Sequence, residues 1–129
     1  MNNFGQAVHQ TLGGELKSET VQTIQVNLGL LCNLSCRHCH VEASPKRSEV
    51  MSWETMQSVL RLAKALPQAR VDLTGGAPEL NPFFKQFVAI LCDMGHSVQV
   101  RTNLTVFFEA GQADTPEFLA SSLYSSTLG

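Results

Sequence analysis

The chain has 129 residues and a mass of 14.1 kDa, the size of one domain or of part of a large barrel. With 43% hydrophobic and 16% charged residues it can build a core, and a net charge of −2 excludes the clustered basic surface that broad nucleic-acid binding needs. The longest apolar run, Phe87 to Cys92, is too short to span a bilayer, and the first twenty residues have neither a basic start nor an apolar stretch. No secretory signal, membrane partner or nucleic-acid partner is therefore expected, and the expected location is cytoplasmic.

Residues 1–20 have weak periodicity and a Gly13-Gly14 break, and read as a flexible lead-in. Ile24, Val26 and Leu28 then alternate with Gln25 and Asn27, the period of a strand. A cysteine-rich loop follows, from Gly29 to about Val50. Ser52 is a good helix cap, with Met51 and Met56 at the positions of a hydrophobic staple. Trp53, Met56, Val59, Leu60, Ala63 and Leu66 share one helical face, and Pro67 ends the run.

A second strand holds Val71 and Leu73 alternating with Asp72 and Thr74. It runs into the turn Gly75-Gly76-Ala77-Pro78. A second helix is expected from Asn81-Pro82, with Phe84, Phe87, Val88, Leu91 and Met94 as its buried stripe and Gly95 as its stop. A third strand is expected from Ser97 to Asn103, and a third helix from Pro116. Residues 121–129 form a Ser-rich tail.

Strand–helix alternation implies an α/β fold with parallel strands and right-handed crossovers. Strands covered by helices on both faces read as continuous apolar runs, whereas these three alternate. One face therefore looks towards something polar. A partial (β/α) barrel of about three βα units would do this, with Gln25, Asn27, Asp72, Thr74, Gln99, Arg101 and Asn103 turned to its lumen. An open sheet with one solvated face is the alternative.

Cys32, Cys36 and Cys39 lie within eight residues, and Cys92 stands apart in a helix as a packing thiol. Three thiolates spaced x3 and x2 on one loop suit an iron–sulfur cluster. A 4Fe–4S cube held by three cysteines keeps one iron open for a ligand. The alternative is structural zinc with His40 completing a Cys3His set, although four ligands within nine residues would strain a tetrahedron.

The Cys32-x3-Cys36-x2-Cys39 spacing directly after a first strand resembles the radical S-adenosylmethionine (SAM) superfamily. That resemblance implies complete or partial (β/α) barrels, a 4Fe–4S cluster whose open iron chelates SAM, and reductive cleavage of SAM to a 5′-deoxyadenosyl radical. It places His38 where an aromatic residue usually lies near the adenine. It also gives the Gly75-Gly76 turn the role of meeting the methionine ammonium. Ala77 stands where the usual glutamate would be, so Glu79 is the candidate to replace it, a solvated turn residue being the alternative. Asn103 and Arg101, at the end of the third strand, are further candidates for SAM or substrate.

The stretches VNLGLLCNLSCRHCHVEASPKR, VDLTGGAPELNP and RTNLTVFFEAGQ resemble the arsenosugar-biosynthesis radical SAM family over about Gln25 to Ala120. TGGAPELNP with alanine is typical of it. The implied reaction attaches the 5′-deoxyadenosyl group of SAM to a methylated arsenic species. The implied partners are that small-molecule substrate and an electron donor such as a flavodoxin or ferredoxin. Residues 21–120 would then be the N-terminal half of a radical SAM core. The tail 121–129 does not resemble the family's continuation, so this chain alone is expected to be inactive. A different radical SAM modification, or a non-catalytic iron–sulfur or zinc module, are the alternatives.

Overall fold

A computed structural model describes residues 2–125. The elements follow in the order α1 (Asn3–Leu12), β1 (Thr23–Asn27), α2 (Trp53–Ala65), β2 (Arg70–Thr74), α3 (Phe84–Asp93), β3 (Val98–Val100) and α4 (Thr115–Ser125). The three strands form one parallel sheet in the order β1-β2-β3. Gln25 lies opposite Asp72, and Asp72 opposite Gln99, so the polar positions share a face. Ile24, Val26, Leu28, Val71, Leu73 and Val98 point the other way, into a core completed by α2, α3 and Leu119 of α4. The helices thus cover one face of the sheet, as in a partial β/α barrel of about three βα units.

Local chemistry explains the elements. Ser52 caps α2 by accepting the Thr55 N–H, and the α2 stripe buries Met56 and Ala63 fully. Gly95 leaves α3 at φ +89°, a conformation that favours glycine. Four features depart from the sequence reading. A helix occupies Asn3–Leu12, because the Asn2 side chain accepts the Gly5 N–H and Gly13 closes the end in the left-handed region. That helix buries no residue, which is why periodicity did not reveal it. α3 starts at Phe84 rather than Asn81, since Pro78–Leu80 forms a separate 3-10 turn. Asn81 instead accepts the Phe83 N–H and sends its amide to the carbonyls of Leu28 and Met51. β3 ends at Val100, not Asn103; the Arg101 N–H to the Leu73 carbonyl is its last ladder bond, because β2 turns away at Gly75. Between β3 and α4, Thr105–Phe108 adds a further 3-10 turn. The end of the expected tail, from residue 126, lies outside the described residues.

Candidate functional site

The long loop after β1 is held by its own backbone. The Leu30 N–H donates to Glu49, Ser44 to Leu30, Cys32 to Ser44 and Met51 to Leu28, at 2.8–3.2 Å. Arg47 reinforces the return with a forked bond to the Glu49 carboxylate and a third to the Glu42 carbonyl. The Arg47 guanidinium lowers the Glu49 carboxyl to about 2. Arg47 is therefore a brace for the loop.

The Gly75-Gly76 turn joins this loop directly. The Gly76 N–H donates to the Gly29 carbonyl and the Ala77 N–H to the Leu31 carbonyl, both at 2.9 Å. A Cβ on Gly76 would lie 2.5 Å from the Leu31 carbonyl oxygen and 3.0 Å from the Ala43 Cβ. A Cβ on Gly75, at φ +144°, would lie 2.7 Å from the Gly29 oxygen. Both glycines let two backbones meet, a requirement the sequence reading had assigned to ligand approach. Ala77, 3% exposed, packs with Cys32, Ala43 and Val106.

The three loop cysteines differ in setting. Cys32 is buried at 7% exposure, Cys39 is half-buried and Cys36 is exposed. The Cys32 sulfur accepts the Leu34 N–H at 3.5 Å and an Asn103 amide N–H at 3.7 Å. The Cys39 sulfur accepts the Ala43 N–H at 3.3 Å, and N–H donors from Ala43 and then Val41 hold its thiol below the usual range. Donors of this kind favour the thiolate, the form that binds metal. Among the described residues, no three Cys, His, Asp or Glu side chains converge on a single metal ion.

His38 and His40 are exposed beside Cys39. Asn103 sits against the loop, bonded to Asn33 as well as to Cys32. Cys92 lies in α3, half-buried against the core. Arg101 pairs with Asp72 at 2.7 Å, holding that buried carboxyl below its usual range. Glu79 is 3% exposed, and both carboxylate oxygens lack a hydrogen-bond partner among the described residues. The solvated-turn alternative for Glu79 is thereby overturned: the 3-10 turn rolls its side chain inward. Asn33, Thr105 and Gly29 are contacts that the sequence reading did not single out. Their only signal was adjacency to Cys32, Asn103 and the loop's start.

The family model for the radical SAM superfamily matches residues 26–120. The chain belongs to the radical SAM superfamily. Curated relatives include proteins named "Probable GTP 3',8-cyclase". That of Pyrococcus horikoshii is 28% identical over 88 residues, covering 68% of this chain and 28% of the relative. Those of Sulfurisphaera tokodaii and Saccharolobus islandicus are 31% identical over 85 residues and 30% over 84, each covering 27% of the relative. The chain thus spans under a third of the length of these relatives. Superfamily membership carries a 4Fe–4S cluster and SAM as cofactors. The residues present fit both: thiols supplied with N–H donors for the cluster, and a buried carboxylate without a donor for a cationic ligand. No helix among the described residues is long and apolar enough to cross a membrane.

Proposed function

We propose that this chain is the cluster-bearing part of a radical SAM enzyme, with residues 21–120 as its core, residues 1–20 as a lead-in and 121–129 as a tail. Cys32, Cys36 and Cys39 hold the cluster; Gly75, Gly76, His38, Glu79 and Asn103 contribute to the SAM site. The observation that carries this reading is the backbone joining of the cysteine loop to the Gly-Gly turn, which puts the two motifs into one unit. When bound, the cluster and SAM together supply one-electron cleavage of a sulfonium.

The chain's own residues prepare that chemistry. N–H donors favour the thiolate at Cys39, and the Leu34 N–H points at the Cys32 sulfur. Glu79 accepts the methionine ammonium, replacing the glutamate absent at position 77; with Ala77 packed on Cys32, Ala43 and Val106, a longer side chain has no room there. The exposed His38 ring stacks on the adenine. A flavodoxin or ferredoxin supplies the electron.

For the substrate, the TGGAPELNP turn supports a methylated arsenical, adenosylated at arsenic. The names of the curated relatives support a second reading, GTP cyclisation.

The test is anaerobic reconstitution, with iron and sulfide counting, and electron paramagnetic resonance of the reduced protein with and without SAM. The wild-type chain and Cys92→Ala are expected to load about four irons, Cys36→Ala is expected to lose the cluster, and SAM is expected to change the spectrum. A colourless zinc-loaded chain, or a spectrum indifferent to saturating SAM, would overturn the reading. Because the chain alone is expected not to turn over, calorimetric titration of the reconstituted, SAM-loaded chain with a methylated trivalent arsenical or with GTP separates the substrates: saturable binding of the arsenical supports the first and of the nucleotide the second.

A further inference from the structure

Asn103 closes a ring of hydrogen bonds across the mouth of the cysteine loop. Its amide nitrogen donates to Asn33 Oδ1 at 2.8 Å and to Cys32 Sγ at 3.7 Å. Asn33 Nδ2 donates to Thr105 Oγ1 at 2.9 Å, and Thr105 Oγ1 donates back to Asn103 Oδ1 at 3.1 Å. The Val106 backbone N–H also donates to Asn103 Oδ1, at 3.0 Å. A backbone N–H can only donate, so it fixes the oxygen on that side and turns the NH2 group towards the sulfur.

The backbone is bent to make this possible. Leu104 adopts φ +63°, rare for a side chain of its size, and the Thr105 N–H reaches back to the Asn103 carbonyl at 2.8 Å in a tight three-residue turn. Leu104 itself is 61% exposed, so no burial of its own side chain explains the strain. What the turn achieves is the placement of Asn103. A strained backbone that delivers one polar side chain to a buried sulfur marks a site rather than a loop accident.

We propose that Asn103, braced by Asn33 and Thr105, is a positioning residue that donates a hydrogen bond to the Cys32 thiolate and so sets the reduction potential of the cluster. The inference rests on the reading of Cys32 as a cluster ligand. Hydrogen bonds to cluster sulfurs stabilise the more electron-rich, reduced state and raise its potential. The S–H that Cys32 now directs at Asn33 Oδ1, at 3.9 Å, is given up on ligation, whereas the bonds from Leu34 and Asn103 point at the sulfur and strengthen as it becomes charged.

The experiment is a redox titration of the anaerobically reconstituted full chain, followed by electron paramagnetic resonance, comparing wild type with Asn103→Asp and Asn103→Ala. Asn103→Asp keeps the acceptor that the Val106 N–H needs, and removes only the donor while adding negative charge. Both variants are expected to titrate at a more negative potential than wild type, Asn103→Asp more so. Iron loading of Asn103→Asp is expected to match wild type. Should Asn103→Ala fail to load, Asn103→Asp decides alone. Wild-type potentials in the loaded variants would overturn the inference, as would loss of cluster from both variants with helical circular dichroism intact. A wild-type chain that takes up no cluster would instead overturn the reading of Cys32 itself, before any variant is compared.

Discussion

A carboxyl group enclosed by protein without a hydrogen-bond partner costs about 1–3 kcal/mol relative to a satisfied one. Glu79 is in that position: its main-chain carbonyl accepts the Gln112 amide, but its side-chain oxygens have no partner among the described residues. It lines a small cleft of about 190 Å3 with Asn81, Phe84, Lys85 and Gln112. If Glu79 meets the SAM ammonium, as proposed above, that contact would relieve this cost. Glu79→Met, close in shape and without the polar atoms, is therefore expected to stabilise the SAM-free chain by about 1–3 kcal/mol. The same change is expected to weaken SAM binding. Urea unfolding reads the first effect and calorimetric titration with SAM the second. A stabilised variant with unchanged SAM affinity would remove Glu79 from the SAM site.

At the scale of elements, the cysteine loop and the Gly-Gly turn behave as one clamp. Gly76 shows the tolerance best, because its missing Cβ is replaced by the Leu31 carbonyl, a backbone atom that cannot swing aside. Gly76→Ala is expected to destabilise the chain by about 1–3 kcal/mol and to reduce cluster loading. Gly14→Ala, where a Cβ would meet nothing, is expected to leave loading unchanged. Iron content per folded chain and thermal melting check both. The same clamp shows what the sequence could and could not reveal. Alternation exposed the three strands, and the Ser52 cap and the α2 stripe located that helix, because these signals are local. Position 33 meets position 103 across 70 residues, and no periodicity encodes such a contact. Asn81 looked like a helix cap and does accept a neighbouring N–H. Its larger task is to bond the carbonyls of Leu28 and Met51, which lie far away in the chain.

At the scale of the whole molecule, the sheet is a wall with an apolar side against helices and a polar side facing away from them. Gln25, Asn27 and Gln99 are exposed on the polar side, while Asp72 is only 6% exposed, covered by Arg101 and bonded by Gln25 Nε2 at 3.3 Å. The polar face is thus organised around one ion pair spanning β2 and the end of β3. The Arg101 fork is the chief cause of the lowered Asp72 carboxyl, with Gln25 and the charge of Arg70 assisting against desolvation. A carboxyl whose folded value lies below its unfolded one contributes stability above the unfolded value, roughly pH 3.9. That contribution is lost as the pH falls through the folded value. Arg101→Gln removes the pair and leaves a nearly buried charge behind. Arg101 is itself more than half exposed, so solvent screens part of the interaction, and the variant is expected to be less stable than wild type at neutral pH. The two proteins should converge in acid, where Asp72 is protonated in both, and the acid limb of the variant should be the shallower, because it has less Asp72-linked stability to lose. Urea midpoints measured from pH 3 to pH 7 test this. A variant whose deficit stays constant down to the lowest pH would show that Arg101 supports the wall by packing and not by its charge on Asp72.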